Sequence, residues 1–401
     1  VEEFEDVLAL QAGVVSTGGE IHVRGGRGGE ISYMVDGITV TDPYNSGMAV
    51  EIENNAIQEL QFISGTFNAE YGQAMSGIVN IVTKDGDFSK YSGSLSGSFG
   101  DYYISSNRVS FSNSSYPLFP QVDNLNLDNI TDLKGNFEGP IVPGVLSFFV
   151  SARKNVNNGY LFGEQIFYPN SYLWSDAQNM FRIDSAVGLG NGDYLLQDSL
   201  WSPVDYQDSL FVYIDSLRNN DQFDWVSMNT SDQLTYQAKL SWRVTPTIKF
   251  GYNRMFSNTK SQDYSHGYRW NPIGRPFSFN TRIGDIIRTD ISINQSTFAN
   301  IMFSNAVNHY RTHLSSDPDF YKVIENLSFD DSFWGFDTLD PSSASDYDTD
   351  PRIFDYATGN NYEVGGNYMD IYNRKSIVRT VKGELTSQYN KSHQLKVGAE
   401  Y

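Results

Sequence analysis

His309 and His313 lie four residues apart, the spacing at which two imidazoles on one helix face share a metal ion. The run around them does not favour helix, and in a strand the same spacing is about 13 Å at ~3.3 Å per residue, too long for one ion. Cysteine is absent, which removes thiolate metal sites, disulfides and thiol nucleophiles. With 48 Asp and Glu, glycosidase-like carboxylate pairs can be drawn almost anywhere and none is singled out. The run DPSSASDYDTDP from Asp340 is rich in oxygen ligands for calcium but lacks the glycine and closing glutamate of an EF-hand loop, so it reads as a solvated acidic loop. Arg24-Gly25-Gly26-Arg27 invites a phosphate or RNA reading, yet no Gly-Lys-Ser or Gly-Lys-Thr accompanies it. There the glycines permit positive φ while Arg24 pairs with carboxylates. These residues imply no metal, no cofactor and no enzymatic chemistry.

The formal charge of −20 opposes nucleic acid, whose phosphates need a basic groove. Acid is dense from the start: residues 1–87 hold fourteen Asp and Glu against three Lys and Arg. No apolar run reaches the 18 or more residues of a membrane helix, which leaves a membrane barrel open because barrel strands alternate. The first residue is Val1, with no charged-then-apolar leader after it, so the sequence is expected to be a fragment or mature form.

The positioning elements fall into two kinds. Val1–Gly13 spaces Phe4, Val7, Leu8 and Leu10 as a short helix ending on glycine, and a brief strand is expected at Ile21 to Arg24. Ile31 to Val40, Ile57 to Ser64 and Gly77 to Thr83 are short apolar segments bounded by turn residues. Asp36-Gly37 inside the first is either a hairpin turn or a sharp bend. After Phe88 the chain alternates instead. Tyr236, Ala238, Leu240, Trp242 and Val244 oppose Gln237, Lys239, Ser241 and Arg243, and the C-terminal Leu395, Val397, Ala399 and Tyr401 repeat the pattern.

Nine such strands are predicted: 90–100, 130–139, 145–155, 233–244, 247–257, 286–294, 298–312, 376–389 and 393–401. A sandwich also alternates. The connections discriminate: short links at Pro143-Gly144, Thr245 to Thr247, Ser296-Thr297 and Asn390 to Ser392 take turns with long loops, about 101–129, 156–232, 258–285 and 313–375. Short turns on one rim and long loops on the other is a membrane-barrel layout. Tyr102 to Ser112 extends the first strand or starts a loop hairpin. Arg254 falls on the apolar face, where a cation costs about 2–4 kcal/mol at mid-membrane and about 0–1 kcal/mol near the rim.

The succession RGGRGGEISYMVDGITVTDPY, then IQELQFISGTFNAEYGQAMSGIVNIVTK, resembles the plug domain of TonB-dependent outer-membrane receptors over about 70 residues, in the family's order and spacing. Its glycine-rich opening is nearest to receptors of Bacteroidota-like bacteria. The resemblance implies a mixed α+β plug over residues 1–87, followed over 88–401 by antiparallel transmembrane strands, part of a barrel of about 22 strands that nine cannot close. It implies a plug–barrel latch at Arg24, Arg27 and Glu70, with arginines tied to acidic wall residues. Asp42, Tyr44 and Asn45 become substrate contacts at the outward apex. Gly25, Gly26, Asp36, Gly37, Tyr71, Gly72, Gly77 and Asn80 become structural motif positions.

The expected function is ligand-gated active transport across the outer membrane. It would be energised by a TonB-type complex acting through an N-terminal segment missing from this sequence, in contact with outer-membrane lipid and a small-molecule, oligosaccharide or peptide ligand. One alternative is surface binding or adhesion on the same scaffold without uptake. The other is a secreted β-sandwich enzyme, which leaves the segment order unexplained.

Overall fold

The computed structural model describes residues 8–11, 13–17, 20–65, 67–68, 71–72, 74–105, 108–111, 114–117, 119–166, 172–175, 181–189, 193–201, 223–314, 371–390 and 392–401. Most of the helix expected over Val1–Gly13 and the acidic run from Asp340 lie outside them.

A first pair of strands, β1 (Val14–Thr17) and β2 (Glu20–Val23), precedes a four-stranded head sheet of β3 (Ile31–Val35), β4 (Ile38–Thr39), β5 (Ile57–Ser64) and β6 (Gly77–Thr83), in the order β4-β3-β6-β5. Only β3 and β6 run parallel, and 43 residues of chain separate Asn80 from the turn it supports at Gly37. Asp36 and Gly37 take φ of +51° and +89°, the two left-handed residues that a tight type I′ hairpin needs, so the Asp-Gly pair is a turn between β3 and β4.

The nine expected alternating strands form one antiparallel sheet: β7 (Ser92–Gly100), β10 (Ile130–Val142), β11 (Leu146–Asn157), β17 (Thr230–Thr245), β18 (Ile248–Gln262), β19 (Phe277–Asn294), β20 (Thr297–His313), β21 (Tyr372–Asn390) and β22 (His393–Glu400), paired in chain order. Between them stand β8 (Arg108–Phe111) and β9 (Ser114–Pro117), which settle Tyr102 to Ser112 as leading into a loop hairpin. Long connections also carry β12 (Phe162–Gln165), β13 (Tyr172–Ser175), β14 (Phe181–Leu189), β15 (Asp193–Trp201) and β16 (Asp224–Ser227). Several wall strands are longer than expected. The loop placed at 258–285 shrinks to 263–276, because β18 and β19 keep pairing as far as Ser261 and Ser278, beyond the point where apolar alternation stops.

One face of this wall is apolar and exposed: Leu240, Trp242, Ile301, Phe303, Ile377 and Val381 show 37–55% of their surface. The other face packs on the head. Ile31, Val35, Ile38, Val79 and Ile81 share one buried core with Phe149, Met255, Ile286, Met302 and Ala306 of the wall. Gly284 permits the approach, since a Cβ there would stand 2.5 Å from Val50 of the head.

The register arranges the outward face in rows. Leu240, Tyr252, Ile287, Phe303 and Val381 form one, and Tyr236, Phe256, Ile283, Val307 and Ile377 form another four residues farther from the short turns. Between them lies a polar row, Arg254, Asp285, Asn305 and Arg379. Arg254 donates to both oxygens of Asp285 at 2.8 Å, and the Tyr252 hydroxyl donates to the same carboxylate at 2.8 Å. The cation that the alternation left unexplained is thus neutralised across the strand pair.

Candidate functional site

The head and wall meet in a seam of charge. Asp36, 6% exposed in the β3–β4 turn, accepts from the Thr83 N–H at 2.9 Å through one oxygen. Its other oxygen accepts from Thr83 Oγ1 at 2.8 Å, Lys239 Nζ at 3.1 Å and Asn253 Nδ2 at 3.3 Å. Lys239, 8% exposed on β17, also reaches Thr83 Oγ1 at 2.8 Å and Asp85 at 2.9 Å. Gln237 Nε2 orients Asn253 at 3.0 Å. Lys249 bonds Asp85 as well. Burial works against the Asp85 charge, but Lys239 and then Lys249 overcome it and hold its pKa at about 2.

The turn's backbone is gripped too. Arg288 donates to the Asp36 carbonyl at 2.7 Å, and Lys382 donates to the Gly37 carbonyl at 3.0 Å. Beside these groups lies a cavity of about 180 Å³, lined by Asp36, Thr83, Asp85, Lys249, Arg288 and Asp290, polar and large enough for several waters.

Farther from the short turns the same polarity repeats. Glu51 of the head meets Arg282 at 3.2 Å, and Glu53 meets Arg153 at 3.6 Å. Burial raises the Glu53 pKa, with Arg153 opposing and the Glu51 and Asp132 charges adding to the rise. Asp42 accepts from Asn308 Nδ2 at 2.8 Å. In each pair the head supplies acid and the wall supplies base or amide.

The latch implied by the resemblance has the opposite sign, arginine on the plug and acid on the wall. Arg24 and Arg27 are exposed, and the Arg24 guanidinium lies over Gly65 of the head, where a Cβ would stand 2.8 Å from it. Among the described residues no wall carboxylate pairs with either. Glu70 lies outside the described residues. The motif positions Asp36, Gly37 and Asn80 instead stand at the seam, and Gly77 packs in the head sheet under Val23. Gly25 has open space around it, Gly26 crowds against Ser76 and Glu30, Tyr71 N–H bonds the Asn68 carbonyl, and Gly72 is exposed.

The apex residues divide. Asp42 is fully buried, its carboxylate engaged by Asn308 and by the Tyr44 N–H at 3.0 Å. Tyr44 is 63% exposed, and Asn45 is exposed with its side chain turned back to the Gly47 N–H at 3.1 Å. Tyr44 meets wall residues from the start of β21: its hydroxyl lies 3.3 Å from that of Tyr372, and the Arg374 guanidinium sits 4.1 Å from its ring centroid. The hydrogen bond with Tyr372, then that with Arg374, lowers the Tyr44 pKa. Tyr310 adds a third ring, 5.8 Å from Tyr372. The Arg374 Nε has no hydrogen-bond partner among the described residues. Three phenols and an arginine make a cluster whose chemistry suits aromatic, polyhydroxylated or anionic groups.

Lys239, Lys249, Asp85, Tyr310, Tyr372 and Arg374 were not singled out from sequence. For Lys239 the signal was present: a cation between Gln237 and Ser241 on the polar face of a strand whose other face is apolar.

His309 and His313 sit on the outward side of β20, where His309 bonds Asn373 at 2.8 Å and His313 stacks on Phe279 at 4.6 Å.

No protein-family model matches the chain. Over 146 residues it is 25% identical to the TonB-dependent transporter Oar of Myxococcus xanthus, a match covering 36% of this chain and 13% of that protein. A mutant of the ferric enterobactin receptor PfeA from Pseudomonas aeruginosa aligns with 100% of this chain at TM-score 0.52 and 14% identity, and a second mutant of that receptor does so at 0.52 and 13%. The chain covers 46% of the receptor in both, less than half its length. The order of the head segments, the partial wall around the head and these likenesses together give the chain the fold of a plug with part of a barrel, similar to that of TonB-dependent receptors.

Proposed function

We propose that the chain serves an outer-membrane transporter in which residues 1–87 plug a barrel whose wall begins at residue 88. A scarce or bulky solute binds at the mouth around Tyr44 and Asn45, and a periplasmic TonB-type complex pulls the plug to open a path. The Oar and PfeA likenesses support this reading, and one observation carries it: plug and wall are joined at their base by buried ion pairs beside a polar cavity. Water can take over these polar contacts as they break, unlike the apolar core that head and wall also share. The ligand class stays broad: small molecule, oligosaccharide or peptide.

The test uses the full reading frame in cells. Its Asn253→Cys variant places one thiol in the seam of a region that has none of its own. Labelling by a hydrophilic maleimide is expected to rise in energised cells and to fall when an uncoupler collapses the proton gradient. Equal labelling in both states would defeat energised opening and leave surface binding as the function.

A further inference from the structure

The outward wall changes character just beyond the apolar row of Tyr236, Phe256, Ile283, Val307 and Ile377. The next row holds Leu234, Asn258, Thr281, His309 and Lys375, and the one after it Asp232, Lys260, Phe279, Arg311 and Asn373. Each row adds about 5 Å of height for a strand rising ~3.3 Å per residue and tilted by about 40°. Lys260, Arg311 and Lys375 therefore stand about 5–10 Å above the apolar band, at headgroup depth. The aromatic residues hold the cations in place. Lys260 Nζ lies 4.1 Å from the Phe277 centroid, the Arg311 guanidinium lies 5.7 Å from that of Phe279, and the two rings are 6.5 Å apart. Among the described residues no carboxylate pairs with these three cations, and Arg311 Nε has no hydrogen-bond partner. The one acid in these rows on β17–β21, Asp232, is bound by Lys154.

A concentration of unpaired cations on a chain of net charge −20 is a specific local inversion of sign. We propose that this patch, Lys260, Arg311 and Lys375 with Phe277 and Phe279, docks the phosphate groups of lipid headgroups in the leaflet facing the long loops. The inference rests on the membrane-barrel reading above. Phosphate is the fitting partner because the site offers separated guanidinium and ammonium donors beside rings that pack against lipid carbon. It adjoins a surface that lipid already wets, so the occupant arrives with the membrane.

The full-length protein is reconstituted in nanodiscs of phosphatidylcholine containing a minor share of phosphatidic acid, and the phosphatidic acid retained per protein is measured by native mass spectrometry. The wild type is expected to enrich this lipid over its bulk share. Lys260→Gln/Arg311→Gln/Lys375→Gln is expected to lose at least about fivefold of that enrichment, while Lys260→Arg/Arg311→Lys/Lys375→Arg keeps it. Both variants should remain heat-modifiable, as a folded barrel does. No excess in the wild type, equal enrichment in the neutral triple variant, or full displacement by free inorganic phosphate would each overturn the proposal. A wild type that enters no disc and is not heat-modifiable would instead bring down the membrane reading, and the proposal with it.

Discussion

A single ammonium, that of Lys239, is shared by Asp36, Asp85 and both oxygens of Thr83. Lys239→Met leaves Asp36 buried without its counter-ion, a change that costs about 3–5 kcal/mol. The full-length protein should then lose plug structure at clearly lower denaturant than wild type, and Asp36→Asn/Lys239→Met should recover part of the loss. An unchanged midpoint for Lys239→Met would show the pair to be idle. Two of the perturbed plug acids, Asp85 and Glu53, give opposite pH trends. Asp85 is held at about 2 against an unfolded value near 4, so its stabilisation is complete above pH ~4 and disappears as pH falls through about 2. The penalty of Asp85→Asn should thus be constant between pH 5 and 8. Glu53 is shifted upward, so the folded plug holds its proton more tightly than the unfolded chain does. Plug stability should gain from Glu53 as pH falls from neutral through that raised pKa, and Glu53→Gln should abolish the trend in a pH series of melting points.

At the scale of strands, the polar row inside the apolar band makes a separate demand. Asp285→Ala strands Arg254 against lipid at a cost of about 2–4 kcal/mol if it sits near mid-membrane, less toward the rim. Arg254→Leu/Asp285→Leu should sit near wild type, since an apolar pair replaces the ion pair without leaving a lone charge. Urea-dependent folding into vesicles measures both, and a double variant as weak as the single one would refute the pairing argument. Arg254 also shows what was legible beforehand. Period-two alternation located all nine wall strands and put Arg254 on the apolar face, because facing is a local property of strand sequence. Its partner, Asp285, lies 31 residues away on the neighbouring strand, and only register brings the two together. The seam escaped for a similar reason. Asp36-Gly37 is readable as a turn, but nothing local to it tells that Lys239 lies 203 residues on. The Tyr44 cluster was half legible: the Asp-Pro-Tyr-Asn turn marks an exposed tip, while Tyr310, Tyr372 and Arg374 reach it only through the fold.

Over the whole molecule, charge is divided between layers. Acids on the head face bases on the wall, so the two parts attract as bodies through polar contacts that water can replace, beside the apolar core they share. The wall itself is bounded by β7 and β22, which pair on one side only among the described residues, and every residue of β22 is exposed. An open sheet with an apolar outer face and two unpaired edges offers templates for further strand pairing, and in a membrane the unpaired N–H and C=O groups cost several kcal/mol each. Residues 1–401 produced alone should therefore neither run as a heat-modifiable species nor stay monodisperse in detergent, whereas the full reading frame should do both. Light scattering and cold-against-boiled electrophoresis decide it. A monodisperse, detergent-free product from residues 1–401 would mean that the apolar row from Tyr236 to Ile377 is covered by protein, and the sandwich architecture would replace the barrel.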